Sequence, residues 1–331
     1  MSKIAVFGSG SWASALAFVL ACNNHDIKMY TRHKEVENEI NIDHTNKKYL
    51  HDFILPSNIS ASTSLKEVIN DCDYLLISIP SKEIDSLSGI KKYINSNPLV
   101  VNATKGFDPK SGLGIHYKEE EILKDIKIKG IVSLIGPTFA SEVIKKQYTC
   151  ITAVSKKTKN NQIIQKLFSN NFFRVYTNND LIGCEISAGM KNIIAIASGI
   201  CKGLGFENNT RAALITRGLS EIIRYGIYHK AKLKTFFSLA CIGDLYLTCS
   251  SDESRNFQAG YQIGIDDSST NLLKNNNKTI EGIEAVKIIV NNIKNTDISL
   301  PITESVYQIL FENKKPSAVL QNLMKRDLKG E

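Results

Sequence analysis

Residues 3–15 read KIAVFGSGSWASA, an apolar run of strand length that Gly8-Ser9-Gly10 interrupts and a small, apolar run of helical character follows. A glycine-rich turn between a strand and a helix narrows the choice of fold more than any other feature of the chain. In Gly8-x-Gly10-x-x-Ala13 the first glycine permits a tight turn and the second lets a pyrophosphate approach the backbone. The third position needs a residue small enough for helix and strand to pack closely, a role alanine can fill. The free N–H groups and dipole at the helix start would then hold the phosphates. The same stretch, with Lys3 ahead of an apolar run and Cys22 behind it, also has the outline of a lipoprotein signal peptide; the glycines fall where a phosphate turn needs them and favour the first reading.

The strand-like runs 3–8, 27–31, 73–79, 99–104, 131–136 and 148–154 alternate with helical patterns. That order predicts right-handed crossovers and a mostly parallel, doubly wound sheet of Rossmann type. Beyond residue 180 the pattern becomes helical, at 185–201, 210–230, 281–294 and 301–311, with a polar loop at 266–279. The expected organisation is an α/β dinucleotide-binding domain over 1–183 and an all-α substrate and catalytic domain over 184–331. A chain of 331 residues suits about two domains.

A net charge of +8 invites a nucleic-acid reading, but the basic residues are dispersed and no nucleic-acid-binding motif accompanies them. The charge fits an anionic metabolite equally well. The seven cysteines form no C-x-x-C pair, so neither zinc nor a disulfide framework is expected, and a reducing cytoplasm suits them. No run reaches the length expected of a membrane span.

Cofactor choice is read at the end of the second strand, where NAD sites place an acid for the ribose 2′-hydroxyl. Here the sequence is MYTRHKE, with Arg32 and His33 and no acid before Glu35. A guanidinium suits a 2′-phosphate, so NADPH is favoured and NADH stays admissible.

The segment CEISAGMKNIIAIASGI (184–200) sets Lys191 and Asn192 in a helix that is apolar on nearly every face. Taken alone it leaves two readings: a desolvated lysine with its pKa lowered towards neutrality, or one that snorkels to water. Asn192 either fixes geometry or satisfies backbone. Lys105 in VVNATKG and Gly136-Pro137-Thr138 both follow strands, where doubly wound folds bind ligands. Further on, GDLYLTCSSDESRN carries Asp244, Thr248, Ser254, Arg255 and Asn256, and an Arg-Asn pair suits a substrate phosphate. Arg217 and Glu221, four residues apart on one helix, are expected to form an ion pair. His116 and His229 belong to no recognisable motif.

Together GSGSWASALA, NATKG, GPTFASE, AGMKNIIAIASG, NTRAALITRGLSE, GDLYLTCSSDESRN and TIEG resemble, in order and spacing, the bacterial NAD(P)-dependent glycerol-3-phosphate dehydrogenases over the whole chain. The resemblance implies an oxidoreductase that interconverts dihydroxyacetone phosphate and glycerol 3-phosphate with NADPH or NADH and supplies glycerophospholipid synthesis. It implies Lys191 as proton acceptor, and Lys105, Gly136, Thr138, Lys191, Asp244, Ser254, Arg255 and Asn256 as substrate contacts. Ser11, Trp12, Arg32, His33, Lys105, Ala140, Arg255 and Glu281 match dinucleotide-contacting positions. It also implies a small phosphate-bearing substrate, a cytoplasmic enzyme without metal, nucleic acid or membrane insertion, and a homodimer.

Two residues depart from the family pattern. Ala13 stands where glycine is common and Phe257 where a polar or basic residue is usual. The competing readings are a hydroxy-acid dehydrogenase, since Arg-Asn and lysines also bind carboxylates, and a dinucleotide sensor without chemistry.

Overall fold

The computed structural model describes residues 1–275 and 280–327. The chain divides into two compact units. One comprises Met1–Lys105 and Ile115–Leu181, and the other comprises Gly106–Gly114 and the described residues from Ile182 onward. The division expected from sequence, 1–183 and 184–331, left residues 106–114 with the first part.

The first unit is built on eight strands: β1 (Lys3–Phe7), β2 (Asp26–Tyr30), β3 (Ile59–Ser62), β4 (Tyr74–Ile77), β5 (Leu99–Asn102), β6 (Gly130–Ile135), β7 (Thr149–Val154) and β8 (Phe173–Asn178). Their order is β3-β2-β1-β4-β5-β6-β7-β8. All neighbours are parallel except β6 and β7, which run antiparallel with Leu134 opposite Ala153. The near-continuous apolar composition of β1, β4 and β5 follows from their burial on both faces. Two strands, β3 and β8, were not visible in the sequence. ISAS has no apolar run, and FRVYTN is an edge strand that turns Arg174 and Tyr176 outward.

β1 is followed by helix α1 (Ser11–Cys22), whose Ala13–Ala21 run is buried in the same core as Ile4 and Val6. The N-terminal stretch is therefore an integral strand, turn and helix of the first unit, and the signal-peptide outline describes no separate segment. β2 and β4 flank β1 on opposite sides, so the chain changes direction beside the end of β1. Gly8 sits there at φ +133°, and a Cβ on it would come 2.3 Å from the Ser78 carbonyl oxygen. Only glycine fits.

The second unit is helical. α2 (Leu181–Gly203), α3 (Asn208–Tyr228), α4 (Asp244–Ser250), α5 (Arg255–Asp266), α6 (Glu281–Ile293) and α7 (Pro301–Phe311) enclose one apolar core. α2 corrects the expectation about membrane spans, because its length and composition would cross a bilayer; it is almost wholly buried inside the protein, as a core helix is. Its small residues have a packing cause. A Cβ on Gly199 would meet the Phe257 carbonyl at 2.1 Å, and one on Gly260 would meet the Ile196 carbonyl at 2.0 Å, so α2 and α5 touch backbone to backbone.

The polar loop expected at 266–279 is helical over Thr270–Asn275, and its residues 276–279 lie outside the described residues. Residues 106–114 join the second unit through particular contacts. Tyr225 donates its hydroxyl to the Gly112 carbonyl at 2.8 Å, and a Cβ on Gly189 would strike the Phe107 ring.

The expected Arg217–Glu221 pair gives way to a tertiary contact. The buried Glu221 carboxylate accepts the Thr303 N–H at 3.0 Å, the Thr303 hydroxyl at 2.8 Å and the Ile302 N–H. The two N–H groups are orphan donors of the first turn of α7, and a carboxylate there satisfies them and complements the helix dipole.

Candidate active site

In the first unit the predicted residues gather at the carboxyl ends of parallel strands. Gly8 and Gly10 follow β1, Lys105 follows β5 and Gly136 follows β6. Gly10 caps α1 in extended geometry without a side-chain bond to the first turn, and a Cβ on it would meet nothing within 4 Å. Open space at Gly10 and a helix start without a side-chain cap suit a pyrophosphate. Ser11 and Trp12 open that helix, and the Lys105 ammonium lies 6.0 Å from the centroid of the Trp12 ring. Ala13 is fully buried, so its methyl is accommodated at the helix–strand contact.

Arg32 and His33 follow β2 by two and three residues. Arg32 is exposed, and its Nη2 pairs with Glu83 Oε2 at 3.1 Å. His33 caps the short helix Lys34–Asn38. Gly136 lies against β7, where a Cβ would meet Ile151 Cα at 3.1 Å. Thr138 donates to the Gly136 carbonyl at 3.3 Å, and Ala140 starts the helix Ala140–Ile144.

In the second unit the central group is Lys191. Its residue exposure is 4%, which removes the snorkelling alternative. The ammonium is bound by the Asp244 carboxylate and donates to Thr248 Oγ1 at 3.0 Å. Asp244 and Thr248 sit four residues apart on one face of α4, and the Thr248 hydroxyl donates to Asp244 Oδ1 at 3.3 Å. A buried ammonium requires such a counter-charge, because two isolated charges would each cost several kcal/mol to desolvate. Asp244 Oδ2 is buried and has no hydrogen-bond partner. A carboxylate oxygen so placed can accept a further hydrogen bond.

Asn192, one residue on, settles between its two readings by binding side chains. Its Nδ2 donates to Glu281 Oε2 at 3.1 Å, while its Oδ1 accepts from Asn256 Nδ2 at 3.0 Å. Asn256 Oδ1 then accepts the Gly282 N–H at 2.9 Å. A single chain of amides thereby joins α2, the start of α5 and the start of α6. Ser254 caps α5 by accepting the Phe257 N–H at 3.3 Å, which leaves Arg255 exposed at the first position of the helix and Asn256 buried beside it.

Sequence reasoning had no account of Phe257. Its ring is fully buried, with the Lys202 ammonium and the Arg211 guanidinium each 5.3 Å from its centroid. Arg211 also reaches the Cys249 carbonyl at 3.3 Å, which the Ser198 hydroxyl shares at 2.9 Å. These bonds tie the end of α4, one residue beyond Thr248, to α2 and α3. They had no local signal.

Burial raises the Cys249 thiol well above its ordinary range and pushes Cys241 up to about 12, so neither provides a thiolate. No cluster of His, Cys, Asp or Glu suited to a metal occurs among the described residues. The groups available for chemistry are an amine, a carboxylate and hydroxyl beside it, and cationic anion binders. They suit proton transfer at an oxygen.

Comparison with known proteins finds relatives over the whole length of the chain. The family model described as NAD-dependent glycerol-3-phosphate dehydrogenase N-terminus matches residues 3–161, and the corresponding C-terminus model matches 180–321. The chain is 40% identical over 338 residues to a Limosilactobacillus reuteri protein named glycerol-3-phosphate dehydrogenase [NAD(P)+], covering 99% of this chain and 98% of that one. A Staphylococcus haemolyticus protein of the same name is 40% identical over 332 residues, with both chains covered completely. The crystal structure of glycerol-3-phosphate dehydrogenase from Coxiella burnetii superimposes with a TM-score of 0.90 at 30% identity, covering 98% of this chain and 99% of that one.

Proposed function

We propose that this chain, which belongs to the NAD-dependent glycerol-3-phosphate dehydrogenase family, interconverts dihydroxyacetone phosphate and sn-glycerol 3-phosphate, with Lys191 serving the C2 oxygen as proton donor and acceptor. A bound nicotinamide dinucleotide, NADPH or NADH, supplies the hydride to C2 in one direction and takes it in the other. The buried Lys191–Asp244–Thr248 group carries the reading. An amine held on a rigid helix, away from water, keeps one geometry for proton transfer, and a fixed donor is worth orders of magnitude in rate. Asp244 holds the ammonium in place, and its second oxygen is available to a substrate hydroxyl.

The other roles are proposed residue by residue. Arg255, at the capped start of α5, and Asn256 bind the substrate phosphate by charge, fork geometry and helix dipole together. Ser254, Lys105, Gly136 and Thr138 complete the substrate contacts. By the resemblance, Ser11, Trp12, Arg32, His33, Lys105, Ala140, Arg255 and Glu281 are assigned to the dinucleotide, with its pyrophosphate at the start of α1. Asn192 positions Asn256 and Glu281 through the two hydrogen bonds of its side-chain amide. The first unit is accordingly the dinucleotide-binding part and the second the substrate and catalytic part. A cytoplasmic setting is supported by seven cysteines of which none is in a disulfide, and a homodimer by the resemblance.

The phosphate-binding assignment is tested by comparing dihydroxyacetone phosphate with dihydroxyacetone as oxidants of NADPH. Loss of reduced-nicotinamide absorbance with the phosphate ester, and at least about a hundredfold lower kcat/KM without the phosphate, is expected if charge-assisted bonds of about 1.5–3 kcal/mol each hold it. Comparable turnover of both would overturn the assignment.

A further inference from the structure

We infer that Glu83 is a specificity-determining residue for the dinucleotide, holding a carboxylate beside Arg32 that lowers the preference for NADPH and keeps NADH a substrate. The inference rests on the dinucleotide-binding reading above.

The end of β2 decides between cofactors because an acid there reads the ribose 2′-hydroxyl and a guanidinium reads the 2′-phosphate. Along the chain this position offers only Arg32, since Glu35 already lies in the helix Lys34–Asn38. The fold supplies the missing acid from elsewhere. Glu83 stands in the helical segment Ser81–Tyr93 that follows β4, the strand beside β1, and it reaches Arg32 at 3.1 Å. An acid and a guanidinium thus occupy one place, where a site committed to a single cofactor needs one of them.

Exposure sets the size of the effect. The Arg32 and Glu83 side chains are 66% and 30% exposed, so the pair is solvent-screened. Such pairs shift an equilibrium by about fivefold at most. A 2′-phosphate, doubly charged and able to accept two parallel N–H bonds, can therefore take Arg32 from Glu83, but it binds against a neighbouring negative charge. A 2′-hydroxyl meets no such repulsion and can donate to the carboxylate. The pair narrows the discrimination from the NADPH side.

Trp12 is the only tryptophan of the chain and opens α1, so quenching of its fluorescence reports dinucleotide binding independently of turnover. The test measures Kd by this quenching, and kcat and KM with dihydroxyacetone phosphate, for NADPH and NADH in wild type, Glu83→Gln and Glu83→Ala. In both variants the NADPH-to-NADH ratio of kcat/KM should rise about three- to fivefold, through KM and Kd rather than kcat, and the gain should shrink in high salt. A ratio that stays within about twofold of wild type in both variants, or that falls, overturns the inference. A wild type that binds both dinucleotides but oxidises neither refutes the proposed reaction alone, because the Kd ratios still decide the role of Glu83. One that binds neither refutes both.

Discussion

Replacing Lys191 by methionine removes a buried cation while keeping most of its volume, and leaves Asp244, only 1% exposed, without its counter-charge. Breaking a buried ion pair from one side costs about 3–5 kcal/mol, because the remaining charge stays desolvated. Each kcal/mol lowers the melting temperature of a domain of about 150–250 residues by about 2–4 °C. Lys191→Met should therefore melt roughly 6–20 °C below wild type. Asp244→Leu should lose a similar amount, since it strands the ammonium. The double variant removes both charges, and its loss should fall well short of the sum, with a coupling energy of about 2 kcal/mol or more in the double-mutant cycle. Thermal and denaturant melts of the four proteins measure this, with circular dichroism confirming that each is folded. If Lys191→Met melts within about 2 °C of wild type, or if the two single losses simply add, the two side chains are not the desolvated partners described above.

Glu221 makes stability depend on pH in a direction unusual for a carboxyl group. Burial pushes its pKa up to about 7 against the pull of the α7 donors. Because the folded value lies above the ordinary 4.5, the folded state takes up the proton first. Its relative stabilisation is complete below about pH 4.5 and is lost as pH rises through about 7, by up to about 3 kcal/mol. Wild type should thus gain stability relative to Glu221→Gln on going from about pH 8 to about pH 5.5. A difference in melting temperature that is flat, or that reverses, would contradict the assignment. Gly8→Ala places a methyl 2.3 Å from the Ser78 carbonyl at a φ that alanine avoids. Its cost should be roughly 2–5 kcal/mol together with loss of Trp12 quenching by NADPH. Normal melting and binding would show that the turn tolerates a side chain.

What could be read from the chain alone was set by the range of the interactions. The glycine turn of residues 8–13, the apolar strands and the amphipathic helices are local signals, and they gave the doubly wound first unit and the helical second one. β3 was missed because ISAS lacks an apolar run, and β8 because an edge strand turns alternate residues to solvent. The allegiance of residues 106–114 depends on Tyr225 and Gly189, which are far away in sequence. The Arg217–Glu221 expectation failed for a related reason, since the carboxylate binds the N–H groups at the start of α7, which come from far along the chain. Thr248 was named in its segment but given no role, although its i, i+4 spacing from Asp244 puts both on the face that meets Lys191. Glu83, 51 positions after Arg32 in sequence, carried no local sign of its partner.

The most direct test of the account is the rate of NADPH oxidation by dihydroxyacetone phosphate in wild type and in Lys191→Ala, with Trp12 quenching confirming that both bind the dinucleotide. Rapid oxidation by wild type and a loss of about a thousandfold or more in a folded, NADPH-binding variant is the predicted result. A folded variant that retains wild-type kcat would contradict it, because the buried amine would then have no part in moving the proton.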